Sequence, residues 1–356
     1  MKVGVEEEFI VVDPQSLWIT PGAFRLANRL VYRDEEYIRK CSVELPLQSG
    51  SFSTILSHLS NGFCVFELKT DPYEDIDRLR EEIVFHRKNL IEVCKDENLM
   101  VLPSGLHPGH RSSDFVDNCA AFHVHIDYAA DLFDRLVSFV PFFIAVSCNS
   151  PFFNGKIQAM TNRMMVSAHV NLPVQNDMLK RNADVLFNPV LDTIETKVFD
   201  SQITVDETVG LASMVKALAE HSSVSTHFSQ KEFEQKRTQA IHSSSVDYTD
   251  FISADDLDLI TKYNRFSSKK VSMKPGSLWQ IEIFQKYGLS SVVHSLSESF
   301  IQDKRIIKKS DDKVDTQNLN ARQLAYFIPY SPFFIMDKYK KYVQDIKIGG
   351  GIKQVR

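Results

Sequence analysis

Gly4-Val5-Glu6-Glu7-Glu8-Phe9-Ile10-Val11-Val12, closed by Asp13-Pro14, is the stretch whose reading decides the fold. Its alternating, β-branched and aromatic residues predict a strand over 3–12. Alternate side chains of a strand share a face, so Glu6 and Glu8 point the same way, with Cα atoms about 7 Å apart. Two like charges on one face are unfavourable unless water or a cation intervenes. The segment is therefore either a solvated strand edge or part of a cation site.

Two further strands repeat the theme. Residues 63–69 read as a strand in which Glu67 sits between large apolar neighbours, and 193–199 as one that carries Glu195. Four glutamates from three strands, Glu6, Glu8, Glu67 and Glu195, could meet on one sheet face and offer the oxygen ligands that hard divalent cations take. His123-Val124-His125, on a strand over 121–128, places two imidazoles on one face and Phe122, Val124 and Ile126 on the other. That pair is either polar strand surface, a transition-metal pair, or part of a mixed site with the glutamates. His107 follows a short strand, 99–102, and its turn. Arg163 and Lys197 are candidate cations for a phosphate or carboxylate, or ordinary surface charges.

The helices fall between these strands. Ile76, Leu79, Ile83, Leu90 and Cys94 recur at helical spacing and predict a helix over 74–98. Residues 131–148 read as one buried apolar helix and 205–221 as another. Residues 222–245 read as loop plus a charged helical segment, and 304–313 as a polar connector. Strands and helices alternate irregularly, which favours α+β over a doubly wound sheet.

Composition narrows the classes. The 356 residues carry 43% hydrophobic and 24% charged residues, an ordinary globular balance. There are only 13 glycines, and neither G-x-G-x-x-G nor a P-loop occurs, so a nucleotide would have to be held by side chains and metals. Lys plus Arg at 41 against Asp plus Glu at 46, net −5, gives no basic field for nucleic acid. Five scattered cysteines without a C-x-x-C support neither a disulfide framework nor a zinc ribbon. The acidic start does not read as a secretory signal, and the apolar run 136–148 is too short to span a bilayer. A reducing cytoplasm and no membrane partner are the expectation.

Taken in order, these segments resemble the carboxylate–amine ligase family, the type 2 glutamate–cysteine ligases. The opening strand is similar to the family's own. Glu67-Leu68-Lys69-Thr70 resembles its Glu-Leu-x-Thr, Gly105-Leu106-His107-Pro108 its Gly-Thr-His-Pro turn, and Phe122-His123-Val124-His125 its His-Val-His strand. Asn149-Ser150-Pro151 resembles its Asn-Ser-Pro turn, with Arg163 after it. Thr193-Ile194-Glu195, running to Asp200, resembles its Gly-Thr-Val-Glu-Val-Arg strand, and Asn264-Arg265-Phe266 a late Asn-Arg segment. The resemblance implies a glutamine-synthetase-like fold, a curved antiparallel sheet forming a funnel with helices outside. It implies ATP- and Mg²⁺-dependent coupling of a carboxylate, typically the γ-carboxyl of glutamate, to an amine such as cysteine. It also implies residue roles. Glu6, Glu8, Glu67 and Glu195 would hold Mg²⁺. His123 or His125 would assist with metal or phosphate, and Arg163, Lys197 and Arg265 would bind phosphate or substrate carboxylate. A catalytic domain over 1–300, a helical C-terminal extension over 301–356 with a flexible Gly349-Gly350-Gly351 tail, and a homodimer complete the expectation.

Departures accompany the resemblance. Lys197 stands for the family's strand arginine, which keeps the charge and loses the bidentate fork. Leu186 stands for another arginine, Lys156-Ile157-Gln158 replaces an Asp-Thr-Gly stretch, and Lys270-Val271-Ser272 replaces a late Arg-x-Gly. The acid expected shortly before Glu67 is absent from Leu59-Ser60-Asn61. The metal-type carboxylates are kept better than the substrate-type arginines. Two other readings follow from the same residues: a relative that binds nucleotide or metal without turnover, and a hydrolase using His123, His125 and carboxylates around Zn²⁺ or Mn²⁺ without ATP.

Overall fold

Val3–Val12 forms strand β1 in the computed structural model, which describes residues 1–43, 64–110, 119–129, 131–166, 183–189, 191–221, 228–243, 247–312 and 314. β1 lies at the centre of a seven-stranded sheet. On one side it pairs with β3 (Val65–Lys69), which in turn pairs with β2 (Cys41–Val43). On the other side it pairs with β5 (Ala121–Asp127) along its first half and β4 (Met100–Leu102) along its second. β9 (Thr193–Asp200) and β8 (Val185–Asn188) complete the order β2-β3-β1-β5-β9-β8, and every one of these pairings is antiparallel. The α+β architecture is as expected. The sheet is open among the described residues, with β2 and β8 at its edges.

Burial on both faces fixes the register. Val3, Val5, Phe122, Val124, Ile126 and Ile194 project from one face into a core shared with α5 (Val140–Ser147) and α7 (Val205–His221). Further along β1, Phe9 and Val11 join Leu26 and Leu30 of α1 (Ala23–Arg33) and Leu90 and Val93 of α3 (Ile76–Asp96). On the opposite face Ile10, Val12, Val65 and Leu102 are covered by Ile283, Val292 and Leu296 of α11 (Gly276–Gln302). A slip of β1 by one residue would turn Glu6 and Glu8 into these apolar cores and Val5 and Phe9 out of them, so the pairing is strongly specified.

The helix expected over 74–98 is α3, started by Asp75, whose carboxylate accepts from the Asp77 N–H. The single apolar helix expected over 131–148 is two, α4 (Leu132–Ser138) and α5, broken at Phe139. Pro141 is the reason: it lacks the N–H that would continue the hydrogen-bond ladder and is accommodated in the first turn of a new helix. The charged helical segment is α8 (Gln230–His242), opened by a Ser229–Glu232 capping box, after α6 (Arg163–Val166) and α7.

The connector after α11 is not loose. Ser291, Ser295 and Ser299, one turn apart, take the N–H groups of Ser310, Lys308 and Ile306 at 2.9, 2.8 and 2.7 Å and donate back to the same residues' carbonyls. Four helical residues advance about 6 Å and two extended residues about 6.6 Å, so the two repeats stay in step. The described residues belong to one compact unit. Most of the C-terminal extension expected over 301–356, with its Gly349-Gly350-Gly351 tail, and Leu59-Ser60-Asn61 lie outside the described residues.

Candidate functional site

Strand register alone gathers the expected glutamates and histidines. Glu6 stands opposite Lys69 on β3 and His123 on β5, Glu8 opposite Glu67, and His125 opposite Glu195. Directly opposed residues share a face, so all seven lie together. A β-bulge in β9, between the Phe122/Phe199 and Val124/Thr196 pairs, adds one residue to that strand. It sends both Val198 and Phe199 into the core while Lys197 stays beside Glu195 and Asp200 falls opposite Ala121.

The distances are those of one cluster. His123 Nδ1 is 3.0 Å from Glu6 Oε2 and 3.4 Å from Glu195 Oε1, and its Nε2 is 3.7 Å from Glu8 Oε1. Glu6, His123 and Glu195 each place a ligand atom within 4.8 Å of the others. His125 is held through Nδ1 by Thr193 Oγ1 at 3.2 Å. Its Nε2 is buried without a hydrogen-bond partner, 3.6 Å from Glu6 Oε2 and 3.9 Å from Glu195 Oε1. An orphaned imidazole nitrogen turned toward two carboxylates, next to a second imidazole, is a donor set that fits a divalent cation. Two lysines already answer the charge: Lys69 Nζ lies 2.8 Å from Glu6 and 2.7 Å from Glu67, and Lys197 Nζ 3.2 Å from Glu195.

Titration follows from that geometry. Burial pushes the Glu6 carboxyl up, but the hydrogen bond to His123 and the close His125 imidazole outweigh it and hold Glu6 well below the usual range. Burial likewise raises Glu195, and the Lys197 charge, with the two imidazoles, overrides it to leave Glu195 lowered. Burial and the Lys197 charge lower His123. His125 is raised, because the nearby Glu6 and Glu195 carboxylates exceed the effect of burial.

Arg163 and Arg265 are not brought to this cluster. Arg163 is 1% exposed, and its Nε donates to Asp200 Oδ1 at 2.8 Å and its Nη2 to the Lys197 carbonyl at 3.3 Å. Asp200 also accepts from the Asn149 N–H, Ser150 Oγ and Thr161 Oγ1. The arginine therefore braces the bulge that carries Lys197. Arg265 opens α10 (Arg265–Ser272), exposed and paired with Asp77 of α3. Leu186 stands opposite Glu195, on the site face.

Other motif residues prove to be scaffold. His107 is fully buried between the Leu17 carbonyl (3.0 Å from Nε2) and the Gly109 N–H (3.1 Å from Nδ1), and burial pushes it down to about 3. Thr70 accepts the Val5 N–H, and Asn149 donates to the carbonyls of Pro103 and Ser201. Glu7, between Glu6 and Glu8, faces the opposite way and pairs with buried Arg87 at 2.6 Å, with Thr208 Oγ1 donating to the same oxygen. Sequence reasoning missed Lys69 and Ser42, which donate to Glu67, and the bracing role of Asp200. Lys69 was legible as Glu67's neighbour two residues along the same strand face.

Comparison with known proteins points to the family that these motifs resemble. The family model described as glutamate–cysteine ligase family 2 matches residues 2–119. The chain is 22% identical over 265 residues to a Rubrobacter xylanophilus protein provisionally named glutamate–cysteine ligase 2-2, covering 60% of this chain and 63% of that one. A Ruegeria pomeroyi protein provisionally named glutamate–cysteine ligase 2 is 24% identical over 265 residues, covering 61% and 64%. The matched region thus spans somewhat under two thirds of these relatives' lengths. A crystal structure of a glutamate–cysteine ligase from Francisella tularensis in complex with AMP superposes with a TM-score of 0.55 at 12% identity, covering 100% of this chain and 95% of that one. The chain is thus similar in its first third to the glutamate–cysteine ligase family 2 model, and it shares with the Francisella tularensis ligase a fold of helices and an antiparallel sheet that is open among the described residues.

Proposed function

We propose that this protein is an ATP- and Mg²⁺-dependent carboxylate–amine ligase of the glutamate–cysteine ligase type. The observation that carries the reading is the carboxylate–imidazole cluster on one sheet face, with Glu6, His123 and Glu195 within 4.8 Å and Glu8, Glu67 and His125 beside them. A carboxylate is a poor electrophile. Accepting the γ-phosphoryl group of ATP makes it an acyl phosphate, which an amine attacks with release of phosphate. That transfer gathers anionic oxygens and needs cationic surroundings.

Glu6, Glu8, Glu67 and Glu195, with His123, are the residues that would hold Mg²⁺. Bound Mg²⁺ would neutralise the phosphate oxygens and orient the γ-phosphoryl group. Lys197, braced through its carbonyl by Arg163, is the cation for a phosphate oxygen, and His125 presents its unpartnered Nε2 to the same space. Arg163 and Arg265 are assigned no contact with nucleotide, because each is committed elsewhere. A sheet face of this kind accounts for a nucleotide enzyme without a glycine-rich loop. The substrates are a carboxylic acid, with the γ-carboxyl of glutamate the first candidate, and an amine such as cysteine. The cytoplasm fits reduced cysteines, and no helix among the described residues is long and apolar enough to cross a membrane.

The test is to incubate the protein with ATP, Mg²⁺, hydroxylamine and a panel of amino acids. Hydroxamate and ADP are expected with at least one acid; no ADP above a Glu8→Gln control with any acid overturns the reading. Leu186 facing Glu195, where the family has an arginine, favours a second reading, a relative that binds ATP without turning it over. That reading expects ATP binding and no ADP.

A further inference from the structure

Lys69 is the residue of the cluster that neither the expected roles nor the scaffold explains. Its ammonium sits between Glu6 Oε1 and Glu67 Oε1, at 2.8 and 2.7 Å. The other Glu6 oxygen is the one turned to His123 and His125. Lys69 thus occupies the side of Glu6 that the imidazoles leave open, where a cation shared by Glu6 and Glu67 would also have to stand.

The three cations nearest this face differ in how firmly they are held. Arg163 is 1% exposed and locked through Asp200. Lys197 is 18% exposed at the side chain, with its N–H bonded to the Asp184 carbonyl and its own carbonyl to Arg163. Lys69 is 36% exposed and is the last residue of β3, just before the Asp71-Pro72 turn. A lysine ammonium on a four-carbon stem can swing into water without moving backbone, whereas a guanidinium fork seated on a carboxylate cannot be displaced so simply. With both lysines seated, the four carboxylates keep two net negative charges instead of four, which eases their repulsion without a metal.

We propose that Lys69 is a displaceable counterion: its ammonium stands in for a divalent cation between Glu6 and Glu67, and an ion that takes this position must push it aside. The proposal rests on reading the face as a cation site. Lys69 then weakens ion affinity, and in exchange lets the protein fold with the cluster free of metal.

The experiment titrates the full chain with Mn²⁺, read by the electron paramagnetic resonance of the free ion. It compares the wild type with Lys69→Met, Lys69→Arg and the double variant Lys69→Met/Glu6→Gln. Lys69→Met is expected to bind Mn²⁺ at least about tenfold tighter, Lys69→Arg no tighter than wild type, and the double variant to lose the gain. Equal or weaker affinity in Lys69→Met, with wild type still binding, overturns the proposal alone. No binding by either at millimolar Mn²⁺ overturns the cation-site reading as well. Should Lys69→Met be too unstable to titrate, its rise in Tm on adding Mn²⁺ is measured instead. A rise larger than in wild type supports the proposal, and an equal or smaller rise overturns it.

Discussion

Glu6 and Glu7 are neighbours on one strand and inhabit opposite chemical worlds. Glu7 is closed off by the Arg87 guanidinium, which also donates to the carbonyls of Gln202 and Ile203 and lies over the Phe300 ring at 4.9 Å. Glu6 is surrounded by two imidazoles and a lysine, with a third carboxylate partner to the imidazoles nearby. The Asp200–Arg163 pair repeats the first pattern and the Glu195–Lys197 pair the second. In these four pairs the carboxylates that hold the fold meet arginines, and those that line the candidate site meet lysines. An arginine fork fills a carboxylate's directional lone pairs, while a lysine is a point charge that leaves room for another cation.

The comparison can be broken most severely on the arginine side. Arg87→Met strands Glu7 in the core and is expected to cost about 3–5 kcal/mol in denaturant unfolding. Glu6→Gln is expected to cost less metal-free stability, about 1–2 kcal/mol, because the part-exposed Lys69 it releases keeps Glu67 and can turn to water. It should nevertheless abolish any Tm rise on adding Mn²⁺. If both substitutions destabilise equally, the division between scaffold and site is wrong.

Histidines sharpen the same division. His107 is neutral when folded and takes a proton in the folded state only near pH 3. The unfolded chain takes that proton near pH 6.5, so this contribution is complete above pH 6.5 and is lost as pH falls toward 3. Between those limits the slope is about 1.4 kcal/mol per pH unit for the one proton. Stability measured against pH in wild type and His107→Asn should differ by this slope, and parallel curves would remove His107 from the scaffold account. The smallest effect belongs to Arg265→Ala, an exposed pair with Asp77: under about 0.5 kcal/mol in stability and no change in ATP affinity. A weakened ATP affinity there would return Arg265 to the site.

Much of the site was legible because strand alternation is a strict code. Once 3–12, 63–69, 121–128 and 193–199 read as strands, Glu6 with Glu8 and His123 with His125 had to share faces, and the structure joins them. The α+β class and the helices over 74–98 and 205–221 followed from periodicity, with ends shifted by a residue or two where Asp75 caps. Arg163 could not be placed, since a lone arginine after a turn reads the same whether it meets a phosphate or a buried aspartate. Lys69 was legible beside Glu67, but its second ion pair, to Glu6 63 residues away, was not.

The sequence by itself determined which residues could share a face, because the two-residue period of a strand is local. Only the tertiary structure decided which strands adjoin, where the β9 bulge sends both Val198 and Phe199 into the core, and which cations are locked or free to leave. Those outcomes depend on pairings between segments tens to hundreds of residues apart, set by burial of the two sheet faces and by no pattern within any one segment.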